Sequence, residues 1–138
     1  MPSAATGGNR LVLQIVLVSD NSVLSEFTVS TGDRFYLDYV HSSDHTPIHD
    51  VFEVGRHGEI ILIEEDFRWY GAGLEFHPQA DITFADEGTQ VRLHRIFPNF
   101  LLRVGRIADQ KISYRNTVIS LKTLAQGGSL IRIRIIQQ

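Results

Sequence analysis

Phe35-Tyr36-Leu37-Asp38-Tyr39-Val40-His41 places Phe35, Leu37 and Tyr39 at every second position, with Tyr36, Asp38 and Val40 between them. A period of two is that of a strand with one face turned to a core, because successive side chains leave a pleated backbone on opposite sides. The pattern recurs in Val91, Leu93 and Arg95 against Arg92, His94 and Ile96. It recurs again in Ile131, Ile133 and Ile135 against Leu130, Arg132 and Arg134. Turn signals separate such runs: Ser30-Thr31-Gly32-Asp33, His57-Gly58, Asp86-Glu87-Gly88, Pro98-Asn99, Arg115-Asn116 and Gly127-Gly128. Strands are predicted near 10–19, 22–29, 34–41, 49–55, 59–68, 81–85, 90–97, 100–105, 110–114, 118–123 and 129–136. This spacing predicts an all-β protein, an antiparallel β-sandwich or barrel of about 8–11 short strands with little helix.

The chain has 138 residues, which suits one core rather than two, so a single β domain is expected over 10–138. With 43% hydrophobic residues it carries enough apolar surface for an ordinary core, which argues against disorder. Residues 1–9 are small and polar and read as a flexible leader. Thirteen basic residues against sixteen acidic ones, scattered along the chain, leave no footprint for a nucleic acid. Cysteine is absent, which excludes disulfides, thiolate metal ligands and Cys nucleophiles. The longest apolar run, Leu11 to Val18, contains Gln14 and is far short of a membrane-spanning helix. No export signal is legible before Arg10; a mature form would be extracytoplasmic, and a chain complete as written cytoplasmic. The last strand carries Leu130, Ile131, Ile133, Ile135 and Ile136, which would suit an edge that dimerises. Arg132 and Arg134 favour instead an ordinary strand with one solvated face.

The densest polar cluster is His41-Ser42-Ser43-Asp44-His45-Thr46-Pro47-Ile48-His49-Asp50, read as a loop between two strands. His41, His45 and His49 with Asp44 or Asp50 have the donor chemistry of a zinc site, but no recognised ligand spacing is met. Ser42 or Ser43 beside His41 and Asp50 has the residue types of a hydrolase, without a nucleophile elbow. Trp69-Tyr70-Gly71-Ala72-Gly73-Leu74 can make a tight bend or an anion-binding nest, because its glycines permit close backbone approach. In Glu64-Glu65-Asp66, strand alternation puts Glu64 and Asp66 on one side and Glu65 on the other, and a solvated strand face is the plain reading.

Four elements taken together resemble a known family: Phe35-x-Leu37-x-Tyr39-Val40-His41-Ser42, Thr46-Pro47-x-x-Asp50-x-Phe52, Phe67-x-x-Tyr70-Gly71-Ala72-Gly73-Leu74 and Leu102-Arg103-Val104-Gly105. The chain is similar over about residues 11 to 136 to the bacterial domain-of-unknown-function family 1850. The resemblance implies a small protein, often exported or membrane-anchored, and frequently encoded beside TAXI-class TRAP transporters, some members being labelled as related to amino-acid permeases. It brings no biochemical activity. The position usually Glu in that family is Asp50 here, one methylene shorter with the charge kept. His41 belongs to the motif, whereas His45 and His49 do not.

These readings lead to a non-enzymatic accessory or ligand- or partner-binding module of a bacterial solute transport system, with no cofactor, no catalytic residue and no metal assigned. Its partner is expected to be a transporter component or a small polar ligand. The expected contact residues are His41, Ser42, Thr46, Asp50, Tyr70, Gly71 and Gly73. His41 ends the alternation Phe35, Leu37, Tyr39 and is expected on the same apolar face, at least partly buried. The alternative is a metal-dependent or hydrolytic enzyme centred on the His41 to Asp50 loop.

Overall fold

The computed structural model describes residues 10–40, 47–67, 81–85, 88–106 and 109–138. Among them are eleven strands: β1 (Leu11–Leu17), β2 (Val23–Val29), β3 (Arg34–Val40), β4 (Pro47–Val54), β5 (Ile60–Phe67), β6 (Asp81–Ala85), β7 (Gly88–Phe97), β8 (Asn99–Arg103), β9 (Lys111–Tyr114), β10 (Thr117–Ser120) and β11 (Leu130–Gln137). The one helical element described is a three-residue 3₁₀ turn, Leu121–Thr123. No helix among the described residues is long and apolar enough to cross a membrane. The alternation in the sequence therefore became strands, and the turns fall where glycine or asparagine-type chemistry allows. Gly32, Gly58 and Gly128 take positive φ, and Arg115 does so in the two-residue hairpin between β9 and β10.

The strands form two antiparallel sheets, one of seven in the order β10-β9-β3-β4-β5-β7-β6 and one of four in the order β2-β1-β11-β8. Both are open, so the barrel alternative gives way to a sandwich. The inner faces meet in one core. Leu13 and Ile15 of β1 and Ile131 and Ile133 of β11 pack with Phe35 and Leu37 of β3, Phe52 of β4, Ile60 of β5 and Ile112 of β9. A run of stacked rings crosses between the sheets, Phe35 on Phe52 and Phe52 on Phe100, each pair with centroids 5.1 Å apart. At the rim the Tyr114 hydroxyl donates to Asp33 Oδ2 at 2.7 Å, tying β9 to the turn before β3.

The last strand, β11, is the ordinary strand that was expected: it lies between β1 and β8, with its backbone groups paired on both sides. One expectation is corrected. Pro47 and Ile48, expected in the loop ahead of a strand from 49, belong to β4: pairing with β3 runs on to Val40 opposite Pro47. Proline is tolerated there because it opens the strand, and Ile48 is rewarded by burial against Phe67 and Val91. The predicted leader, 1–9, lies outside the described residues.

Candidate functional site

β5 decides the chemistry of the inner face. Ile60 and Leu62 point into the core, so strict alternation would also send Glu64 and Asp66 inward. Between Leu62 and Glu64 the register slips: Phe52 faces Leu62 while Val51, its neighbour, faces Glu64. Ile63 is the extra residue of a β-bulge, and one extra residue inverts the phase of everything after it. Glu65 and Phe67 therefore turn inward, and Glu64 and Asp66 outward. The predicted split of the three acids holds, but Glu65 is not on a solvated face.

Glu65 stands opposite Asp50 of β4, which in turn stands opposite Leu37 of β3. Tyr39, two residues beyond Leu37, shares this face and donates its hydroxyl to Asp50. Around them sits a second apolar cluster, Ile48, Phe67 and Val91, with Tyr39 and Leu93 packed against it. Asp50 is only 5% exposed. Burial, and then the Glu65 carboxylate beside it, push its pKa up to about 9. Asp50 thus keeps its proton near neutral pH and donates it to Glu65, since two ionised carboxylates at this range would repel in a poorly hydrated setting. Burial and the same two acids push the Tyr39 phenol well above its ordinary range.

The outer face of the same strands carries a different row: Asp38, His49, Asp66 and Gln90, side by side on β3, β4, β5 and β7. His49 Nδ1 lies 2.6 Å from Asp38 Oδ1, and the His49 ring stacks on Tyr36 with centroids 5.3 Å apart. Burial first, then a bond with Glu64 and its charge, push Asp66 up to about 6. His49 and Asp50, adjacent in β4, therefore face opposite ways, and a zinc set that joins them does not assemble. No group of three or more His, Asp or Glu able to hold a metal occurs among the described residues.

Of the expected contact residues, Asp50 is placed, on β4 and facing inward. His41, Ser42, Thr46, Tyr70, Gly71 and Gly73 lie outside the described residues, as does the expected burial of His41. Two residues of the inner site escaped sequence reasoning. Tyr39 was visible as an apolar-face residue but not as a donor to Asp50. Glu65 had no usable signal, because nothing local marks Ile63 as a bulge.

Fold and site together define a two-sheet antiparallel β-sandwich with a proton-sharing carboxyl pair on its inner face. The chain belongs to the family described as Domain of unknown function (DUF1850), whose family model matches residues 35–121, more than half of the sequence. Neither a curated protein nor a solved structure matches it.

Proposed function

We propose that this domain is a non-enzymatic, ligand-binding accessory module of a bacterial solute transport system of the TRAP/TAXI type. The observation that carries the ligand-binding part is Asp50, a carboxyl almost wholly buried and set beside a second acid, Glu65. Buried acids whose pKa is strongly raised gather at functional sites, and that supports the reading. The transport part rests on the family resemblance, which carries an association and no chemistry. The test is solute uptake in a bacterium whose chromosomal copy carries Asp50→Asn. The expected result is a loss of uptake by the transporter encoded with it, at unchanged protein level. Unchanged uptake overturns the proposal.

A further inference from the structure

We propose that Arg103 and Arg106 form a binding site for a phosphate group, free or carried on a lipid headgroup, at the glycine turn that leads into β11. The inference goes beyond the reading of Asp50, which lies in the other sheet. Arg103 ends β8, Arg106 follows three residues later, and both are exposed. The two side chains reach the same residue. Arg103 Nη1 donates to the Gly128 carbonyl at 2.7 Å. Arg106 Nη2 lies 2.7 Å from the point where a Cβ on Gly128 would stand, and Arg106 Cα lies 2.9 Å from the corresponding point on Gly127. A side chain on Gly127 would force the Arg106 backbone aside, and one on Gly128 would displace the guanidinium. The two glycines thus open the place that Arg106 occupies beside Arg103.

The backbone beneath the pair is tied down. Gln110 accepts from the Gly105 N–H at 2.8 Å and donates to the Arg103 carbonyl at 3.0 Å. The Gly128 N–H donates to the Val104 carbonyl at 2.7 Å, and the Val104 N–H to that of Ser129 at 2.8 Å. Two cations held against one residue repel unless a negative group stands between them. Among the described residues neither has a carboxylate partner: Asp109, close by in the chain, accepts from Ser120 and pairs with Lys111. Arg132, opposite Leu101 on β8 and so on the same face as Arg103, adds a third positive charge, and its buried Nε has no hydrogen-bond partner. A phosphate group brings close to two negative charges and three strong acceptor oxygens, which suits two forked guanidiniums. A single carboxylate would neutralise only one of them. Because the turn is already knit to β8, little freedom is lost when the anion enters.

The experiment is thermal unfolding of the full chain with sodium phosphate at pH 6 and pH 8, against sodium chloride and sodium acetate at equal ionic strength. It is paired with pelleting on phosphatidylcholine vesicles with and without phosphatidate. The expected result is a saturable rise in midpoint with phosphate alone, of higher affinity at pH 8, where phosphate has lost its second proton. Arg103→Lys keeps the charge and loses the fork, and should weaken binding at least about tenfold. Arg106→Ala, at an exposed position that leaves the fold intact, should do the same. Arg34→Ala removes an exposed arginine of the other sheet and should change nothing. Pelleting with phosphatidate vesicles alone, lost in Arg106→Ala, assigns the phosphate to a lipid; a rise with phosphate and no pelleting assigns it to a free solute. An equal rise with chloride or acetate, an affinity unchanged in Arg103→Lys and Arg106→Ala, an equal loss in Arg34→Ala, or neither a rise nor pelleting in the wild type overturns the site.

Discussion

Asp50 sets the pH response of the fold. Its unfolded value is 3.8 and its native value is pushed up to about 9 by burial and by Glu65. Between those limits the native protein holds a proton that the unfolded chain has lost. The stability tied to Asp50 is therefore complete below about pH 4 and drains away as the pH rises through the native value. Asp50→Asn keeps the shape and removes the titration. Urea unfolding should find the two proteins alike near pH 4 and the variant more stable by roughly 1–3 kcal/mol at pH 8. A parallel loss of stability with pH in both would show that the carboxyl is not titrating in this way. Asp66, pushed up to about 6 for similar reasons, leaves a smaller decline over the lower part of the range.

At the scale of elements, the bulge at Ile63 is what makes the site. Without it β5 would present Glu64 and Asp66 to the core and turn Phe67, now buried, to solvent. Deleting Ile63 removes the extra residue itself, and should therefore straighten β5 and keep Glu65 and Phe67 inward by alternation alone. The fall in stability with pH that Asp50 imposes should persist in the deletion variant, read by urea unfolding at pH 4 and pH 8. A deletion variant without that pH dependence would mean that the bulge does more than set the phase of the strand. The candidate site was only partly legible for the same reason. Asp50 was picked out by its place after Thr46-Pro47, and the division of Glu64, Glu65 and Asp66 between two faces followed from alternation. Which of those faces is inward depends on an extra residue whose only signature is a slip against β4 and β7.

For the whole molecule, the two sheets are held by one continuous core rather than by covalent links, since there is no cysteine. Phe52 is its pivot, stacked on Phe35 within its own sheet and on Phe100 of the other. Phe52→Ala should remove both contacts and leave a cavity between the sheets, costing about 3–5 kcal/mol and lowering the thermal midpoint in one cooperative transition. Two separate transitions would show that the sheets are independently stable.

Local steric rules in the sequence were enough to place the strands along the chain, though not every end. The period of two needs only the pleat, and Gly32, Gly58, Gly128 and the Arg115-Asn116 pair mark turns whose positive φ is a property of a few bonds. Tertiary structure decided everything that depends on partners distant in the chain. It made two open sheets instead of a barrel, put β11 between β1 and β8, and turned Glu65 toward Asp50. A strand carries its alternation within itself, but its neighbours and its inward face are set only when both sheets close over a common core.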